Sequence, residues 1–258
     1  MKKSVWITIL EKNEGLGKTI YQEMNRYGLE PGGHFWEDDL AGMAWAGVIP
    51  ELVSDNCRCW IIVGQTESLD KKSIRQGLSL LALSAQAEHG HNFPIIISPS
   101  GRNLESSSLP TPLGNAEIVK TGLGVRAVAR ANAPLSQSQP DYRLNVHPLP
   151  GLGLWFETGP ARDPWHGAFM GFAGEGAPVP DAHGVGPAGT IPRTSTLRYP
   201  VQGLKMELND VEFTAWGVHN EISPADSYYI RVTAPPETLL FGPFPEEKES
   251  RVLTLYLA

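Results

Sequence analysis

Hydrophobic residues in the first hundred positions fall into short dense runs separated by longer stretches of helical spacing. Val5 to Leu10 is a run of Val, Trp, Ile and Leu bounded by charged, glycine-containing sequence, the pattern of a strand buried on both faces. Leu16, Ile20, Met24 and Tyr27 then recur at helical intervals and stop at Gly28, a residue suited to ending a helix. Cys57 to Val63 predicts a second buried strand. Ile74, Leu78, Leu81 and Ala85 share one face of the helix that follows, which ends near Gly90, and Phe93 to Ser98 predicts a further strand. Strands alternating with helices of this length imply right-handed crossovers and a parallel sheet, so the pattern alone predicts an α/β domain.

Beyond residue 100 the pattern changes. Arg102 to Pro112 is polar and rich in Ser and Pro, and Asn115 to Ala131 supplies one more helix or strand of the same domain. Asn132 to Asp141 has turn-forming, weakly hydrophobic composition, which places a linker there and an α/β domain over residues 1–131. In residues 142–258, short apolar runs (Gly153 to Glu157, His166 to Ala173, Leu204 to Trp216, Tyr228 to Val232 and Arg251 to Leu257) are separated by Gly/Pro clusters. This half is expected to be a β-rich sandwich or small barrel. Gly174 to Thr194 carries so many Gly and Pro residues that a long loop is expected there.

Composition adds exclusions. The 258 residues suit two modest domains, and 41% apolar content is enough for real cores. The net charge is −7 with basic residues scattered, which argues against nucleic acid as a partner. The basic start, Met1 to Ser4, precedes an apolar run without a cleavage pattern and far short of the roughly 20 residues that span a bilayer. A cytoplasmic protein with no membrane partner is expected. Cys57 and Cys59 are expected to be buried and reduced, because two thiols without a matching pair do not make a zinc site. Trp165, His166, Asp181 and His183 lie at spacings that fit no compact metal centre, so no metal site is assigned.

Glu14 to Thr19 invites comparison with a phosphate-binding loop, but the position that needs the first glycine is Lys12. A glycine-bearing turn into a helix is the simpler reading.

The most informative stretch runs from Tyr27 to Trp45. It reads as a helix end, a hydrophobic strand containing Trp36, an acidic loop with a glycine, and Trp45 opening the next helix. Trp36-Glu37-Asp38, then Leu40-Ala41-Gly42-Met43-Ala44-Trp45, then Ser54 followed by Cys57 to Gly64, agree in order and spacing with motifs of Toll/interleukin-1-receptor (TIR) domains. Residues 4 to 100 thus resemble that family. The resemblance implies a doubly wound, flavodoxin-like sheet. Pro50 departs from it, falling in what should be a helix.

Many TIR domains hydrolyse NAD with a glutamate on the helix after the third strand. That position falls here on Gln76 or Gly77, neither of which carries charge. The resemblance therefore implies a non-catalytic signalling or scaffold module without a cofactor, joined to a β-rich domain that binds a partner or ligand. Its expected contact loop comprises Asp38, Asp39, Leu40, Gly42 and Trp45, engaging a protein partner or a second copy. Two enzymatic alternatives stand beside it. One is a TIR-type NAD-hydrolysing defence enzyme whose carboxylate has moved to Glu67 or Asp70, and the other is a different nucleotide- or nucleoside-processing enzyme. Any ligand of such a sheet would meet the carboxyl ends of its strands, where Glu11, Gly15, Asp38 and Trp45 are the candidate binding residues.

Overall fold

In the computed structural model, which describes residues 3–134, 140–245 and 252–258, the chain divides into two units, Met1–Ser138 and Gln139–Ala258. Residues 135–139 of the expected linker lie outside the described residues.

The first unit is built on a five-stranded sheet of β1 (Ser4–Ile9), β2 (Glu30–Phe35), β3 (Cys57–Gln65), β4 (Ile95–Ser100) and β5 (Glu117–Ile118). Every pairing is parallel and the strand order is β2-β1-β3-β4-β5. The connecting helices are α1 (Glu14–Arg26), α2 (Ile49–Leu52), α3 (Thr66–Leu69), α4 (Lys72–His89) and α5 (Leu123–Asn132). Alternation along the strands sends Val5, Ile7 and Ile9 with Cys59, Ile61 and Val63 to one face, where Ile20 and Met24 of α1 and Leu123 and Ala127 of α5 cover them. The segment left open between helix and strand holds both, β5 and then α5.

The opposite face packs on α4. One-sided burial is expected from its spacing, yet nearly the whole circumference between Ile74 and Gln86 is buried. Leu80, Ala82 and Leu83, between the predicted core positions, are also apolar and lie under neighbouring turns. Gln86 Nε2 donates to the Pro112 carbonyl at 2.7 Å and His89 Nε2 donates to the Leu52 carbonyl at 2.8 Å. Pro50 is accommodated at the start of a short helix. Residues Ala44–Val48 form a 3₁₀ turn, and Pro50 then sits in the first turn of α2, where its missing N–H costs nothing. Cys57 and Cys59 are buried free thiols; burial pushes the Cys57 thiol up to about 11 and raises Cys59 as well.

The second unit contains two antiparallel sheets. β6 (Tyr142–Leu149), β7 (Gly153–Pro160), β12 (Asp226–Val232) and β9 (Ala182–Pro187) form one, in that order. β10 (Val201–Leu208), β11 (Val211–Ile222), β8 (Trp165–Ala173), β13 (Thr238–Pro243) and β14 (Leu253–Tyr256) form the other. Phe156 meets Phe172 and Tyr142 meets Phe241 between them, as in a sandwich. The expected long loop over Gly174 to Thr194 is interrupted by β9. Its Gly184 and Gly186 leave no room for side chains, because Pro192 and Ser195 cross that face. No helix among the described residues is long and apolar enough to cross a membrane.

Candidate functional site

Ligands of parallel α/β sheets bind beyond the carboxyl ends of the strands, where strand order reverses. In this sheet the reversal lies between β1 and β3. Glu11, just past β1, spans the gap: the Gln65 N–H at the end of β3 donates to its carboxylate, 3.0 and 3.3 Å from the two oxygens. The crevice therefore presents a carboxylate where an anion would need a free amide. The start of α1 is closed as well, since Asn13 Oδ1 accepts the Leu16 N–H at 2.9 Å. Gly15 lies exposed in that first turn, and its carbonyl accepts the Thr19 hydroxyl at 2.9 Å.

Beyond β2 the acidic loop is exposed at Glu37, Asp38 and Asp39 and is tied by its own residues. Asp39 Oδ1 accepts the Gly42 N–H at 2.8 Å, the Asp39 carbonyl accepts the Ala44 N–H at 3.1 Å, and the Leu40 carbonyl accepts the Met43 N–H at 3.2 Å. Met43 adopts a left-handed conformation with φ 57 and buries its side chain. That conformation costs an L-residue about 1–2 kcal/mol, which the burial of a methionine side chain offsets.

Neither tryptophan lies where the sequence pattern places it. Trp45, expected at the contact surface and among the binding residues, is 2% exposed inside the 3₁₀ turn. Its large ring closes the core over α4, and of the expected contact residues Asp38, Asp39 and Gly42 are exposed. Trp36, expected in a buried strand, is half-buried and stands one residue past β2. Its N–H extends the pairing by donating to the Ile9 carbonyl at 2.8 Å.

Of Gln76 and Gly77, where the resemblance implies a missing glutamate, Gly77 has no room for a side chain. A Cβ on Gly77 would lie 2.7 and 2.8 Å from the six-membered ring of Trp36, with Leu40 also in contact. Gln76 beside it is buried. Of the fallback carboxylates, Asp70 is engaged by Arg102. Glu67 is exposed and lies near Gly101, beyond the end of β4. Thr66 holds β3 to the β4 turn, its hydroxyl lying 3.1 and 2.9 Å from the Ser100 and Arg102 carbonyls.

No protein-family model matches the chain, and no curated protein does.

An aromatic row lies on the α4 face. Trp6 Nε1 donates to His34 Nδ1 at 3.1 Å, and the rings stack at 5.9 Å; His34 meets Trp36 at 6.4 Å. An indole N–H can only donate, so Nδ1 is the acceptor and the ring proton sits on Nε2. Burial pushes the His34 imidazole down to about 4, leaving it neutral near pH 7.

The second unit holds a group that periodicity does not reveal. Glu157 is 3% exposed on β7, facing away from the other sheet. Its Oε2 lies 2.6 Å from His147 Nε2, and its Oε1 accepts the Ser227 hydroxyl at 2.8 Å and the Gly189 N–H at 2.7 Å. Burial alone would raise the carboxyl. Hydrogen bonds from His147, Gly189 and Ser227, with the His147 charge, outweigh it and hold Glu157 below the ordinary 4.5. Its neighbours Phe156 and Thr158 are fully buried, and its partners come from three other segments of the chain. By contrast, Asp181 pairs with Arg231 at 2.7 Å, His183 lies 3.0 Å from the Tyr228 hydroxyl, and His166 is exposed.

Proposed function

We propose that the first unit is a TIR-like, non-catalytic interaction module and that its working surface is the acidic loop from Asp38 to Gly42. The strand order supports the fold part of this reading, since β2-β1-β3-β4-β5 is the doubly wound order of flavodoxin-like sheets. The observation that carries the functional part is the contact between Gly77 and Trp36. At one of the two positions, Gln76 and Gly77, where the resemblance calls for a negative charge, the space is filled by an indole, and the other carries an uncharged amide. A transition state with oxocarbenium character loses roughly 3 kcal/mol or more of stabilisation without such a charge. The loop is suited to association because its internal hydrogen bonds fix its shape before any contact is made, which limits the entropy lost on binding. Its exposed carboxylates fit a basic protein surface.

A second reading, NAD hydrolysis with a relocated carboxylate, rests on Glu67, which is exposed beyond the strand ends while Asp70 is occupied by Arg102. Incubating concentrated protein with NAD and following nicotinamide release separates the two. The expected result is release no faster than in protein-free buffer. Sustained release that Glu67→Gln abolishes would replace the first reading with the second.

A further inference from the structure

The two edges of the parallel sheet are unlike. β5 is two residues long, and its Glu117 is held by Arg126 and Arg130 at 3.2 and 2.6 Å. Shortness and charge are the usual protections of an edge. β2, at the other edge, has six residues and no charged side chain between Glu30 and Glu37.

Backbone groups along β2 alternate in direction. The Glu30 N–H donates to the Lys3 carbonyl and the Trp36 N–H to the Ile9 carbonyl, so even-numbered residues bond β1 and Pro31, Gly33 and Phe35 face outward. The Gly33 and Phe35 N–H groups and the Pro31 carbonyl meet no partner among the described residues; Gly33 is exposed, Phe35 half-buried and Pro31 buried. Gly33 also stays bare of necessity, because a Cβ there would lie 2.5 Å from the Ile7 carbonyl oxygen.

We infer that β2 pairs antiparallel with β2 of a second copy of this chain, about a two-fold axis at Gly33. That register uses every outward donor. The two Gly33 residues exchange two hydrogen bonds, and each Phe35 N–H reaches the Pro31 carbonyl of the second copy, so proline falls at a position whose missing donor leaves no buried amide unpaired. Centring the pair on Pro31 would put no N–H at the axis. Centring it on Phe35 would set Gly33 against Glu37, beyond the strand. Beside the edge, on the α1 side, an open groove of about 420 Å³ is lined by Gly17, Tyr21 and Phe35, with Tyr21 half exposed. Pro31 of the second copy comes alongside Phe35 at this groove. The edge is a separate surface from the acidic loop, and the inference does not depend on the loop's role.

Sedimentation of the full chain should give a reversible dimer. Because Cys57 and Cys59 are buried, a spin label on Glu30→Cys attaches at that position alone. The two labelled backbones lie six strand positions apart, roughly 20 Å at the usual rise per residue. Phe35→Pro removes the edge donor and should sediment as a monomer, whereas Phe35→Leu keeps the donor and should remain dimeric. If Phe35→Pro loses its folded circular-dichroism signal, the label distance decides. A wild-type chain that is monomeric at all concentrations, a dimer with no population near that distance, or a folded Phe35→Pro that still dimerises would overturn the inference.

Discussion

His34 and Glu157 are both ionisable groups held largely out of water on a sheet, and they are kept there by opposite means. His34 lies between two indoles, accepts a hydrogen bond at Nδ1 from Trp6, and is kept neutral by burial. Glu157 is more deeply buried, yet its carboxylate stays charged, because His147, Ser227 and Gly189 all donate to it. A site with one donor accommodates an uncharged ring. A site with three accommodates a charge and makes each donor depend on it. Among the described residues, the Trp36 and Trp45 indole N–H groups are buried without a protein acceptor.

The sharpest way to break this contrast is Glu157→Ala. It would leave the His147 imidazole, the Ser227 hydroxyl and the Gly189 N–H unpaired in one step, a loss of about 3–5 kcal/mol. Denaturant unfolding read by hydrogen exchange over residues 142–258 measures it, and a loss under about 1 kcal/mol would show that the carboxylate is not integral to the sheet.

Acid separates the two sites by pH window. The folded value of His34 lies below its ordinary 6.5, so the unfolded chain takes up this proton first. Its contribution is complete above pH 6.5 and is lost progressively down to about 4, on the order of 1–2 kcal/mol after allowance for solvent screening. Glu157 is also depressed, but from 4.5, so its contribution is intact above that pH and is withdrawn only below it. Exchange protection of the strands around His34 should therefore fall at milder acidity than that of the strands around Glu157. A common midpoint would contradict the assignment.

The smallest effect should come from Trp6→Phe, which keeps a ring and removes the donor. The expected loss is about 1 kcal/mol. Because the lost bond favours the neutral imidazole, His34 should also titrate closer to its ordinary value, as its ring-proton NMR shift would register. An unmoved titration would make burial the sole cause.

The legible parts of the fold were those where apolar density is local. β1, β3 and β4 are continuous hydrophobic runs, and their alternation with helical spacing sufficed for the α/β class. β2 was only partly legible: Glu-Pro-Gly-Gly-His-Phe has little apolar content, and Gly32 and Gly33 are small because Trp6 and the Ile7 carbonyl approach them closely. β9 was hidden for the same reason, its glycines answering to Pro192 and Ser195 from later in the chain. The exposure of the residues named from the loop motif was half legible. Asp38, Asp39 and Gly42 lie on the surface, but Trp45 turns inward, and one-dimensional spacing does not distinguish an aromatic that caps a core from one that projects. The Glu157 network draws on four separate segments and has no local pattern at all.

The contact between Trp36 and Gly77 makes these two positions a single variable. With the Trp36 ring within 2.8 Å of where a Cβ would stand, a library randomised at residue 77 alone should return glycine almost exclusively, whatever property is selected. Larger residues at 77 become accessible only in libraries that shrink residue 36 at the same time. A search that moves one residue per step would find this corner of sequence space closed, and one that moves the pair would find it open.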